Sequence, residues 1–158
     1  MKRRAGRGLA AGAIAIAVAA AVAFGGYAIS DSAQADTPKV LGPGLVTVTV
    51  GIHYSKFSIS TLHVQAGSTV RFLIRNDDPI NHEFIVGDAR VHRLHQLGSE
   101  KSHPPVPGEV SVGPVSIGET FYRFDKPGRY LFACHLPGHF AYGMQGYVIV
   151  DPAVPINA

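Results

Sequence analysis

Cys134-His135-Leu136-Pro137-Gly138-His139-Phe140-Ala141-Tyr142-Gly143-Met144 is the stretch on which the reading of this chain turns. It begins where one strand-like run, Arg129 to Cys134, ends, and it stops where another, Gln145 to Val150, starts. Pro137-Gly138 marks a tight turn inside it. Cys134 and His139 flank that turn, so the loop can fold both side chains towards one point. Met144 stands at the start of the returning strand.

A thiolate, an imidazole and a thioether within one short loop form a soft ligand set. Two imidazoles and a thiolate in a plane, with a weak thioether above it, is the arrangement of an electron-transfer copper site. Methionine argues against zinc, which prefers cysteine, histidine and carboxylates in a closed tetrahedron. The second imidazole must come from elsewhere. His82 is the best candidate, because it follows the turn cluster Asn76-Asp77-Asp78-Pro79 and opens a strand-like run, His82 to Val86, that could lie beside the loop.

Working outward, the rest of the chain reads as short strands. Val46, Val48 and Val50 alternate with Thr47 and Thr49, and Val70, Phe72 and Ile74 alternate with Arg71 and Arg75. Leu62 to Val64, Glu109 to Ile117 and Thr120 to Phe124 add further runs, with Pro114 placing one of them at an edge or a bend. Residues 88–108 are the exception. Val91 and Leu94 fall at helical spacing, and three prolines make Lys101 to Gly108 a loop. About eight short strands joined by turns predict an all-β, two-sheet antiparallel sandwich with a short helical or irregular insertion at 88–108.

The N-terminus is a different kind of sequence. Lys2, Arg3, Arg4 and Arg7 precede an uncharged run from Gly8 to Ser30, and Ala33-Gln34-Ala35 follows. This is the pattern of an export signal cleaved after Ala35, or of an uncleaved membrane anchor. Both place the following domain outside the cytoplasm, because the positive flank stays inside. The organisation expected is a leader at 1–35, a linker at 36–44, one domain at 45–151 and a tail at 152–158. Residues 36–158 hold ten basic and ten acidic side chains, so the excess of positive charge belongs to the leader. That balance excludes nucleic acid as a partner. A single cysteine in an exported chain has no internal disulfide partner, and a metal is one of the few ways to hold it.

Cys-x4-His-x4-Met, with Pro-Gly before the histidine and glycine before the methionine, resembles the copper loop of the cupredoxins, the type 1 blue copper proteins of plastocyanin and rusticyanin type. Asn81-His82-Glu83-Phe84 and the Ala66-Gly67 turn resemble their first-ligand region. The resemblance spans most of Leu45–Val150. It implies a Greek-key β-sandwich and a single copper ion cycling between Cu(I) and Cu(II), held by His82, Cys134, His139 and Met144. It also implies one-electron transfer without catalysis by a monomeric domain, with an extracytoplasmic redox protein as partner at an apolar patch around His139 that includes Leu136, Pro137 and Phe140. Many members carry asparagine after the first histidine, where it ties the two ligand loops together. Glu83 occupies that place here.

The remaining histidines are read separately. His135 should face away from the ion, since it directly follows Cys134 on an extended chain. No His-x-His pair accompanies it, so a trinuclear copper cluster is excluded. His63 and His53 read as structural residues. His92 and His95 share a helical spacing and read as part of a solvated polar segment, or, with His103, as a second and exposed metal site. These extra histidines favour the rival function, copper binding and delivery to a copper-handling protein.

Overall fold

The computed structural model describes residues 38–98 and 106–154. The leader, its cleavage or anchoring, His103 and the end of the tail lie outside the described residues. Ten strands and one helix follow in the order β1 (Val40–Leu41), β2 (Leu45–His53), β3 (Lys56–Phe57), β4 (Thr61–Gln65), β5 (Ser68–Asn76), β6 (His82–Gly87), α1 (Ala89–Gln96), β7 (Glu109–Val112), β8 (Ser116–Phe124), β9 (Gly128–Ala133) and β10 (Gln145–Asp151). They form two sheets, one ordered β1-β4-β10-β9-β6-β7 and the other β3-β2-β5-β8. The chain changes sheet repeatedly, which is the winding of a Greek-key sandwich.

The alternation read from the sequence is the alternation observed. In β5, Val70, Phe72 and Ile74 are buried while Arg71 and Leu73 are only partly covered. Phe72 from one sheet and Phe84 and Phe132 from the other meet in the interior, with ring centroids 4.9 Å apart for Phe72–Phe84 and 5.4 Å for Phe84–Phe132. Truncating any one of these rings to alanine costs about 3–5 kcal/mol. Cys134 and Met144 are fully buried members of the same core, so the candidate ligands close one end of it.

Three details depart from the sequence reading. The sheets are mixed rather than antiparallel, because β1–β4, β4–β10 and β2–β5 pair in parallel. Parallel neighbours are joined by long connections, which local patterning does not reveal. Val40 and Leu41, inside the stretch read as linker, form the edge strand β1 beside His63 and Val64. Pro114 separates two strands rather than bending one, and both lie at the edges of their sheets, the placement its proline implied. β7 ends at Val112 in the six-stranded sheet, and β8 starts at Ser116 in the other.

Candidate metal centre

Three chain segments build the site. The first is the turn 77–81 and the start of β6. Buried Asn76 donates from its amide to the carbonyls of Ile80 (2.8 Å) and Gly113 (2.7 Å) and accepts from the Asp78 backbone N–H (3.0 Å). That fixes the turn and delivers His82, which is 1% exposed. Asp78 Oδ2 accepts from His82 Nε2 at 2.9 Å. With its proton at Nε2, His82 presents a lone pair at Nδ1. That atom is buried and has no hydrogen-bond partner.

Asp78 itself is well held. Its two oxygens accept the backbone N–H groups of Tyr54 and Ser55, both at 2.7 Å. Burial pushes its pKa up, yet those two N–H groups and the His82 ring outweigh it and keep the carboxyl below its usual range.

The second segment is the loop from Cys134 to Met144. Its backbone bonds to itself: Cys134 N–H to the Met144 carbonyl (3.1 Å), Met144 N–H to the His139 carbonyl (3.0 Å) and His139 N–H to the Leu136 carbonyl (3.0 Å). Gly138 and Gly143 both have φ of 85°, a left-handed conformation that side chains resist, and so the glycines are required there. The result sets Cys134 Sγ 3.2 Å from His139 Nδ1. The His82 and His139 rings lie 4.9 Å apart. Among the described residues, the donor atoms of His82, Cys134 and His139 all fall within 4.8 Å of one another. Met144 is fully buried at the end of that loop.

Burial pushes the Cys134 thiol up to about 11, against the pull of the Glu83 and Leu136 backbone N–H groups towards thiolate. Burial, and then the neighbouring His82, lower the pKa of His139. A buried thiol that keeps its proton is a poor resting arrangement for a nucleophile. It suits a cation, which displaces the thiol proton outright.

The third segment is α1, and here the sequence reading is corrected. Asp88 caps the helix, accepting from the N–H groups of Arg90 (2.8 Å) and Val91 (3.0 Å). His92 and His95 are buried rather than solvated. His95 Nε2 lies 3.0 Å from Glu109 Oε2, and His92 Nδ1 lies 2.9 Å from His135 Nε2. His135 does turn away from the Cys134–His139 pair, as its position next to Cys134 implied, and it turns towards α1. Desolvation lowers the pKa of His92, and desolvation with the adjacent imidazoles pushes His135 down to about 4, so both rings are neutral at neutral pH. His53 and His63 are structural, their Nδ1 atoms 3.7 Å from Asp78 and 3.1 Å from Asp151.

Two contributors were missed from sequence. The Asp78–His82 pair has a readable signal, an acid four residues ahead of a candidate ligand across a proline turn. The His92–His135 pair, separated by 43 residues, has none. Glu83, noted as a departure, accepts the His135 backbone N–H at 2.7 Å. It thereby joins the start of β6 to the Cys134–Met144 loop.

Residues 45–151 match the family described as copper binding proteins, plastocyanin/azurin family. The chain is 37% identical to the copper-resistant cuproprotein CopI of Rubrivivax gelatinosus, over 60% of this chain and 59% of that one. It is 30% identical to the CopI protein of Pseudomonas aeruginosa, over 68% and 76% of the two lengths. The first of these relatives is thus matched over less than two thirds of its length. Reduced auracyanin from Roseiflexus castenholzii shares the fold, with a TM-score of 0.57 at 21% identity, covering 67% of this chain and 97% of that structure.

Proposed function

Because this chain belongs to the plastocyanin/azurin family of copper binding proteins, we propose that it holds its ion between His82, Cys134, His139 and Met144 and passes single electrons through it outside the cytoplasm. The observation that carries the ligand assignment is the orphaned Nδ1 of His82. A buried, unpartnered imidazole lone pair is costly by about 1–3 kcal/mol. Here it sits in one cluster with a cysteine sulfur and a second imidazole. The donor set fits copper, since one thiolate and two imidazoles with a methionine in reserve match its softness.

Copper, when bound, supplies the one-electron couple between Cu(I) and Cu(II). The chain supplies position. Asp78 fixes the tautomer and direction of His82, the loop backbone fixes Cys134 and His139, and the surrounding core excludes water from the sulfur. Ligands held by strands of one sheet and a self-bonded loop move little between oxidation states, which favours fast electron exchange. His139 is half-buried, with exposed Pro137 and Tyr142 close by in the loop. That apolar rim suits a brief contact with a redox partner.

The relatives named as copper-resistant cuproproteins favour a second reading, in which the chain binds copper to protect the cell or to hand the ion on. The two are separated by exchange. A carrier keeps its ion against a competing chelator while it cycles electrons, and a delivery protein gives the ion up. The leader sequence supports an extracytoplasmic location for both. Among the described residues no helix is long and apolar enough to cross a membrane.

The test of the ligand assignment is the visible spectrum of the protein loaded with Cu(II), alongside Cys134→Ser. An intense sulfur-to-copper band in the parent that vanishes in the variant is expected. A parent without the band would remove the type 1 assignment.

A further inference from the structure

Helix α1 turns histidine, not an aliphatic side chain, towards the back of the copper loop. Hydrogen bonding fixes where the protons are. The Leu131 carbonyl can only accept, so His92, 3.0 Å away, donates to it from Nε2. A neutral His92 then offers a lone pair at Nδ1. His135 Nε2 stands 2.9 Å from that atom, so it carries the proton and donates. The same assignment leaves His135 Nδ1 as an acceptor, and that atom is indeed buried without a partner. The His135 ring also stacks on Phe140 at 5.1 Å, and its backbone N–H is taken by Glu83.

Leu131 precedes Cys134 by three residues and His135 follows it by one. His92 therefore grips the chain on both sides of the sulfur-bearing residue from a helix that supplies none of the four proposed ligands. We propose that His92 is a positioning residue of the copper centre, a staple from Leu131 to His135 that fixes the direction in which Cys134 presents its sulfur. The proposal rests on the copper assignment above. It gives the insertion between β6 and β7 a purpose, namely to hold the copper loop from behind. Outer partners of this kind, once removed, cost on the order of 10–100-fold in metal affinity.

The experiment contrasts isosteres. Asparagine at 92 places an acceptor near the position of Nδ1 and keeps the bond to His135. Glutamine reaches the position of Nε2, keeps the bond to Leu131 and loses the one to His135. Each variant is loaded with Cu(II), and the sulfur-to-copper bands, the copper hyperfine splitting and the competition affinity are read. Expected are a changed band ratio and about 10-fold weaker copper for His92→Asn and His92→Gln, each of which keeps one end of the staple, and at least as large a loss for His92→Phe, which keeps neither. Copper spectra and affinities that match the parent in all three variants would overturn the proposal, even if their melting temperatures differ, because packing alone would then explain His92. So would a parent-like spectrum and affinity in either His92→Asn or His92→Gln, because one end of the staple would then suffice. A parent protein that shows no sulfur-to-copper band at all would instead strike the copper assignment, and the two failures are therefore distinguishable.

Discussion

Glu83 Oε1 accepts the backbone N–H of His135 at 2.7 Å, and this one bond joins the residue after His82 to the residue after Cys134. Asparagine in that role brings a neutral amide, whereas Glu83 brings a carboxylate. The same carboxylate contributes to keeping the Cys134 thiol protonated, so its field reaches the sulfur. A nearby negative charge favours the more positive oxidation state of a bound ion. Glu83→Gln keeps an acceptor and removes the charge. It should raise the reduction potential by on the order of 60 mV, a tenfold change for a one-electron couple, with little loss of copper. Glu83→Ala should raise it and also weaken binding. Voltammetry of the two variants checks both statements, and an unchanged potential in the Gln variant would show that the charge is not felt at the centre.

Asp78 is the second anchor, and its three bonds make it more than a partner of His82. Asp78→Asn keeps the shape but can present its amide N–H to the ring, which invites His82 into the other tautomer with its proton at Nδ1. A loss of copper affinity of about 10–100-fold is expected. The acid limb follows the same residue. Its folded pKa is depressed, so its contribution to stability is complete above the ordinary carboxylate pKa and disappears as pH falls through the lower, folded value. Denaturation of the metal-free protein between pH 5 and 2 should therefore be less steep in Asp78→Asn than in the parent. Equal slopes would assign the acid sensitivity to other groups.

What could be read from the sequence was local, and what could not was the meeting of distant segments. The alternation of β2 and β5 and the Cys134–Met144 loop are written in consecutive residues, because side-chain direction repeats every two residues in a strand and a turn needs its proline and glycines side by side. His82 could be picked out because a turn and a strand start bracket it. His92 and His95 are buried where the sequence reads as solvated, since helical spacing tells which residues share a face, not what covers that face. The cover is Leu131, His135 and Glu109, none of them near in sequence to α1. The parallel pairing of β2 with β5 has no local signal for the same reason.

Met144 can be tested without disturbing the fold. It is fully buried, and leucine matches its volume, so Met144→Leu should cost under about 1.5 kcal/mol of stability. A thioether donates electron density and so favours Cu(II). Replacing it with hydrocarbon should raise the reduction potential while the sulfur-to-copper band persists. If the potential stays where it was, Met144 is core filling and the fourth ligand is some other atom.

The buried thiol gives the last prediction, one that needs no spectroscopy. Cys134 in the metal-free protein holds its proton up to about 11, against an ordinary thiol value of 9.0. Copper must displace that proton to bind sulfur, so loading at pH 7 should release about one proton per ion from this residue, and apparent affinity should climb about tenfold per pH unit while the thiol remains protonated. The same shift sets the alkaline limb of stability. A folded pKa raised above the unfolded value means that the unfolded chain ionises first, so the contribution is whole below pH 9 and is lost as pH rises towards 11. Metal-free parent protein should lose stability across that window more steeply than Cys134→Ser, whose hydroxyl does not titrate there. Calorimetry of copper binding in two buffers of different ionisation heat measures the proton, and chemical denaturation at pH 8, 9.5 and 11 measures the limb. A loading reaction that releases no proton would mean that sulfur is not a ligand, whatever the distances around it suggest.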